Sequence, residues 1–258
     1  NRICLPNTLS CGKQMIDVSP HSSCVGCHAC ESQCGQDAIQ MFLNDEGFLY
    51  PRVDNEKCTH CGECLTVCPG INEVQFERLP SPDVYAAWSN DDDIIKNSSS
   101  GGVFSELALK MLGDHGVVIG AAFDEYFHLV HQAISSEYDL PRLRGSKYLQ
   151  SNLAKIFAQI QPLLEENKKV LFSGTPCQVA GLNSFLKRDY PNLLTCDLVC
   201  HGVASPGVFA RYIQEIQEKH QSRIIDFKFR TKPRGWKNFF CDIQFANDAC
   251  LSMPFSEN

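Results

Sequence analysis

Eight of the 15 cysteines in this 258-residue chain form two matching runs, Cys24, Cys27, Cys30, Cys34 and Cys58, Cys61, Cys64, Cys68. Each reads C-x2-C-x2-C-x3-C, and Pro69 follows the second while Gly35 follows the first. Three explanations compete. Disulfides need an oxidising compartment, and no basic segment followed by an apolar stretch opens the sequence to signal export. The odd cysteine count would also leave a thiol unpaired. Zinc takes four ligands, and one C-x2-C unit supplies half of them. Three cysteines at steps of three, with a fourth four residues on, is the two-cluster ferredoxin spacing. One tight loop reaches three iron corners of a cubane, and the fourth cysteine starts a helix leading to the other cluster. Two 4Fe–4S clusters are therefore expected, one on Cys24, Cys27, Cys30 and Cys68, the other on Cys58, Cys61, Cys64 and Cys34.

Between the runs, Ala38–Leu43 and Phe48–Val53 flank Asn44-Asp45-Glu46-Gly47 and read as a hairpin turning at Asp45–Gly47. Residues 20–75 are thus expected to form a ferredoxin-like α+β module, each half giving a strand pair and a short helix. Residues 1–19 are expected to be a mobile leader in which Cys4 and Cys11 are free thiols. Residues 76–83, with two prolines, are read as a linker.

The remainder alternates strand and helix signals, which implies an α/β domain. Strands are expected at Val84–Trp88, Gly116–Phe123, Val170–Ser173, Leu193–Cys200, Ile224–Arg230 and Phe239–Phe245. Helices are expected at Val103–Leu112, Ser151–Glu165, Cys177–Lys187 and Ser205–His220. The last has a serine cap followed by proline at its first position. The longest apolar stretch, near Gly116–Phe123, falls far short of the ~18 residues that a membrane span needs. A net charge of −7 disfavours nucleic acid as a partner. The charge is uneven: residues 1–79 hold ten acidic and five basic side chains, residues 80–258 hold 20 and 18.

Several segments could carry chemistry, and each has a plain structural reading beside it. Ser98-Ser99-Ser100-Gly101-Gly102 precedes a helix, where backbone amides can hold a phosphate; it is equally a flexible capped loop. Arg144-Gly145-Ser146-Lys147-Tyr148 is an anion site or a surface turn. Thr175 and Pro176 suit a helix start, which puts Cys177 in the first turn; there it is a lowered-pKa thiolate, a ligand or a small cap residue. Cys200-His201-Gly202 ends a strand, the edge at which open α/β sheets bind ligands, and Cys196 before it reads as core. Arg223, Lys228, Arg230, Lys232, Arg234 and Lys237, interleaved with Trp236, Phe239 and Phe240, read three ways. They form a pocket for an anionic cofactor, a face for an acidic ferredoxin or a solvated hairpin edge.

Taken together, SSSGGVFSELA (98–108), RGSKYLQS (144–151), FSGTPCQVAGL (172–182), DLVCHGVASPGVFARYI (197–213), FKFRTKPRGWK (227–237) and DEGFLYP (45–51) resemble the family of coenzyme F420 hydrogenase/dehydrogenase beta subunits. The likeness is to its bacterial form with a fused ferredoxin domain. It implies residues 84–150 and 151–258 as two parts of the beta-subunit domain, the second incomplete at Asn258. It also implies an iron–sulfur flavoprotein oxidoreductase, in which clusters exchange electrons with FAD, FMN or a deazaflavin-type hydride carrier. Ser100, Gly101, Gly102, Lys147, Thr175 and Cys177 become cofactor-binding candidates. Cys177 and Cys200 become catalytic candidates, or ligands of a third cluster in longer relatives. The partners implied are a ferredoxin or another oxidoreductase subunit and a small hydride donor or acceptor, in the cytoplasm. Two other functions remain open: an electron-transfer subunit without catalysis, and a thiol–disulfide reductase using Cys177 and Cys200.

Overall fold

The computed structural model describes residues 16, 23–72, 81–235 and 238–254. Its first part is built from the cysteine repeat. Helix α1 (Ala29–Gln33) and helix α2 (Glu63–Thr66) each follow a C-x2-C turn, and strands β1 (Ile39–Leu43) and β2 (Leu49–Val53) pair antiparallel between them, Ile39 facing Val53. The repeat extends to backbone conformation. Gly26 and His60 hold equivalent positions, as do His28 and Gly62, and all four have positive φ, between 55° and 79°. Left-handed residues on both sides of a cysteine fold the chain back, so that successive sulfurs face inward. The hairpin turn is held by Asn44, whose Oδ1 accepts from Glu46 N–H at 3.1 Å and Phe48 N–H at 2.8 Å.

The central domain follows through α3 (Asp92–Lys96), α4 (Val103–Gly113), β3 (Val117–Phe123), β4 (Leu129–Ile134), α5 (Leu140–Leu143), α6 (Ile156–Glu165), β5 (Val170–Gly174), α7 (Pro176–Leu186) and β6 (Leu193–Asp197). Its sheet has the order β4-β3-β5-β6, parallel except for β4. Alternation along the strands divides the core. Val118 and Leu171 face Ala108, Met111 and Leu112 of α4 with Leu140 and Leu143 of α5. Ile119, Val170 and Phe172 face Phe157 and Ile160 of α6 with Leu182 and Phe185 of α7. Strands buried on both faces read as continuous apolar runs, which is why Gly116–Phe123 and Val170–Ser173 are legible as strands. Helix α8 (Pro206–His220) then packs on a second sheet of β7 (Ile224–Thr231), β8 (Phe240–Phe245) and β9 (Cys250–Pro254), with Phe209, Phe227 and Phe245 at its core.

The cysteine-rich module is seated on the larger part by polar and apolar contacts. Gln150 behaves as a strand partner for β2: its Oε1 accepts from Leu49 N–H at 2.6 Å and its Nε2 donates to Leu49 O at 3.0 Å. The hairpin turn meets the start of α8, where Ser205 Oγ donates to Glu46 O at 2.7 Å and Gly207 N–H to Gly47 O at 3.0 Å. Lys155 pairs with Asp37, and Lys187 with Glu63 at 3.3 Å. Ala29 and Val67, both fully buried, join the core formed by α6 and α7.

Some expectations are corrected. Val84–Trp88 is not a strand: it forms no regular element and pairs with none, with Val84 89% and Trp88 66% exposed. Its alternation lacks a neighbouring ladder. Residues 151–155 are not helical, because Asn152 pairs with Val130 beside β4 and accepts from His131 N–H at 2.9 Å; the helix starts at Ile156. The strand expected over Leu193–Cys200 ends at Asp197, and 198–200 are exposed. The strand pair expected of each half of the module is seen once, as β1–β2. Ile16, expected in a mobile leader, is buried in the module core, and its N–H donates to Cys64 Sγ at 3.3 Å. The rest of the leader, with Cys4 and Cys11, and most of the linker lie outside the described residues.

Candidate iron–sulfur and cofactor sites

The first run builds a cavity. Cys24, Cys27, Cys30 and Cys68 line one largely apolar hollow together with Val25, Pro51 and Pro69. These are the four sulfurs that the spacing assigns to one cluster, and Cys68 arrives from the other run, as a crossed arrangement requires. Burial, with the neighbouring sulfurs adding to it, pushes the Cys27 thiol up to about 12 and Cys30 well above its ordinary value. Backbone amides oppose this: Gly26 N–H reaches Cys24 and Ala29 N–H reaches Cys27. Buried sulfurs that repel one another as thiolates, with amides already aimed at them, fit a multiply charged iron cluster. Among the described residues, no group of three or more His, Cys, Asp or Glu side chains is set to hold a single metal ion. The sulfurs ring a volume instead.

The second run is more open. Cys64 is buried, Cys58 partly exposed and Cys61 exposed. Cys34, at the end of α1, packs with Cys30 and Cys64 in one small core. The asymmetry comes from the fold. The first run is covered by α6 and α7, whereas the loop before α2 faces outward.

Helix α7 carries the contact between module and domain. Gly181 lies against the first run so closely that a Cβ there would stand 3.0 Å from Cys27 Sγ. One turn earlier, Cys177 is near enough to Cys27 to add to its electrostatic environment. Cys177 Sγ lies 3.1 Å from Thr175 Oγ1, and Thr175 caps α7 while its N–H donates to Gln178 Oε1 at 2.9 Å. His131 on β4 backs this loop. Its Nε2 lies 3.1 Å from Ser173 O, its ring stacks on Phe172, and burial holds its pKa down at about 4. His28, on the cavity wall, bonds Glu31 through Nδ1 at 2.8 Å. His28 Nε2 and His131 Nδ1 are both buried without a hydrogen-bond partner. Cys200 lies in an exposed loop, its sulfur accepting from Gly202 N–H at 3.4 Å, and no hydrogen bond among the described residues joins it to Cys177.

The glycine-rich loop lies at the amino end of α4. Since α4 runs back along β3, this is the carboxyl end of the parallel strands, where ligands bind in such sheets. Gly102 caps α4 with φ 85°, and a Cβ on Gly101 would lie 2.8 Å from Ala87 O. This close packing alone accounts for both glycines, which are buried; Ser100 is exposed. Ser99 Oγ accepts from Ser146 N–H at 2.7 Å, which joins the loop to Arg144–Tyr148. Lys147, expected to add charge at a cofactor, turns its Nζ onto the carbonyls of Leu143, Arg144 and Gly145, the shortest bond being 2.8 Å. Burial lowers its pKa to about 8. The basic hairpin, which the sequence leaves with three readings, reaches the same loop: Lys232 Nζ donates to Ser100 O at 3.3 Å. The signal for it is the run of cations along β7 and beyond.

Sulfurs ringing a cavity, beside an α/β domain with a loop at its carboxyl edge, define an iron–sulfur redox protein. Comparison with known proteins agrees. Residues 23–70 match the 4Fe-4S dicluster domain. Residues 84–158 match the N-terminal part, and 167–251 the C-terminal part, of the coenzyme F420 hydrogenase/dehydrogenase beta subunit. The chain belongs to that family of beta subunits, with the dicluster domain in front. It is 25% identical over 237 residues to one component of the F(420)H(2) dehydrogenase of Methanosarcina mazei, covering 86% of this chain and 66% of the relative. The module alone is similar to the VorC component of ketoisovalerate oxidoreductase from Methanothermobacter marburgensis, 32% identical over 75 residues, 28% of this chain and 95% of that one. Among solved structures, a chain of the F420-reducing [NiFe] hydrogenase complex from Methanosarcina barkeri matches at TM-score 0.41 and 20% identity, over 65% of this chain and 58% of that one. No helix among the described residues is long and apolar enough to cross a membrane.

Proposed function

We propose that this chain carries single electrons through two 4Fe–4S sites to a flavin held in its α/β domain, where they leave as a hydride. Bound clusters supply one-electron steps, and a bound flavin converts between one- and two-electron chemistry. Cys24, Cys27, Cys30 and Cys68 hold the inner cluster, and Cys34, Cys58, Cys61 and Cys64 the outer one. The observation that carries the reading is the contact of the four-sulfur cavity with α7, through Gly181 and Cys27.

The exposure of Cys61 makes the outer site the port for a protein partner, a ferredoxin or another oxidoreductase subunit. The inner site turns Cys27 into the core of α6 and α7, toward the domain. Ser100 and the amino end of α4 receive the flavin phosphate, because unpaired amides and the helix dipole favour an anion there. In this reading Thr175 and Cys177, at the start of α7 and beside Cys27, orient the ring.

Anaerobic purification or reconstitution followed by iron, sulfide and flavin analysis tests this. The expected result is about eight irons, as two cubanes require, and one flavin per chain. Full iron without any flavin binding would replace the reading with that of an electron-transfer subunit whose chemistry lies in a partner. A chain without iron would overturn both.

A further inference from the structure

The glycine-rich loop meets the second sheet at a cationic corner. Lys232, just past β7, reaches back to the loop, its Nζ donating to Ile95 O at 2.7 Å and Ser100 O at 3.3 Å. Arg230 is close enough that its charge, after burial, helps hold Lys232 below its ordinary pKa. The Arg230 guanidinium stacks on Phe239, 3.7 Å from the ring centroid, so its plane is fixed. Its Nε is buried and has no hydrogen-bond partner. Arg144 Nε donates to Ser105 Oγ at 3.1 Å, in the first turn of α4. Glu106, the acid in that turn, bonds the Ser89 hydroxyl instead. No ion pair among the described residues involves Arg144 or Arg230.

Like charges gathered at the positive end of an 11-residue helix, one with a buried donor lacking an acceptor, are unfavourable until an anion joins them. We propose that Arg230 and Lys232 grip the phosphate of the flavin nucleotide against the Ser98–Gly102 loop, so that the second sheet supplies the cations of the cofactor site. The inference rests on the flavin reading above and deepens it. A guanidinium held flat offers parallel N–H donors that match two phosphate oxygens, and Lys232 adds a point charge. Lys147 has no part in it, because its ammonium is buried on three carbonyls of its own turn, away from the Ser98–Gly102 loop that Lys232 reaches.

Riboflavin, FMN and FAD are titrated into the anaerobic, iron-loaded chain, and affinity is read by equilibrium dialysis. The wild type should bind FMN or FAD at least about tenfold more tightly than riboflavin, the size of a charge-assisted contact. Arg230→Gln and Lys232→Met should each lose about tenfold for the phosphorylated flavin and leave riboflavin affinity unchanged. Lys147→Met should keep the preference. Iron content and circular dichroism establish that each variant folds; should Arg230→Gln fail, Lys232→Met and the wild-type comparison still decide. Equal wild-type affinities for riboflavin and its phosphates, or folded variants with unchanged FMN and FAD binding, would overturn the inference and leave the flavin reading standing. Absence of binding by all three flavins would overturn the flavin reading itself, and this inference with it.

Discussion

Cys34 and Cys68 are the residues on which the ligand assignment turns, because each follows its own loop in sequence but, in the proposed assignment, serves the other loop's cluster. Cys68 lines the cavity of the first run. Cys68→Ser should therefore remove the same electron paramagnetic resonance signal as Cys27→Ser, and Cys34→Ser the same signal as Cys61→Ser, each leaving about half of the iron. If Cys68→Ser instead matched Cys61→Ser, the sites would be uncrossed. That Cys68 joins the three cysteines of the first run was legible from spacing alone. The role of Gly181 was not, since only the packing of α7 onto Cys27 shows why a side chain is excluded there. Lys147 makes a second prediction at this scale. Its folded pKa of about 8 lies below the unfolded value of about 10. Between those values the unfolded chain binds a proton that the folded chain has released, so stability rises with pH over that window. Urea melts from pH 7.5 to 10 should show the rise in the wild type and a flatter profile in Lys147→Met.

Strand β5 is the element that ties the site to the core. Phe172 is fully buried, stacks on His131 at 5.5 Å and meets Phe157 edge-on at 5.8 Å. Phe172→Ala should cost about 3–5 kcal/mol by leaving a cavity under the Thr175–Cys177 loop, measured by chemical denaturation of the iron-loaded chain. The apolar runs of β3 and β5 and the capped start of α8 declared themselves in the sequence. Strand β4 did not, because His131 occupies an inward position between Leu129 and Ile134 and breaks the apolar alternation. The contrary error at Val84–Trp88 has the same origin: alternation describes a residue pattern, and only a hydrogen-bonding neighbour makes it a strand.

The whole chain is joined at points that lie far apart in sequence. Gln150 pairs with Leu49, Ser205 with Glu46, and Ala29 and Val67 lie in the core of α6 and α7. Module and domain should consequently unfold as one. Thermal melts followed by visible absorbance and by far-ultraviolet circular dichroism should coincide, and anaerobic chelation of iron should lower the midpoint by about 2–4 °C for each kcal/mol withdrawn from the module. Two separated transitions would show that the seam is weak. The Lys187–Glu63 pair is half exposed on both sides, so 1 M salt should shift the midpoint little. The outward position of Cys61 has a further consequence. Under the proposed assignment the opening that serves a partner also admits dioxygen, and corrosion starts at the outer site while the inner one keeps its iron. A briefly aerated sample would stay brown and still be severed from its electron source, so colour alone is a poor certificate of a conducting molecule.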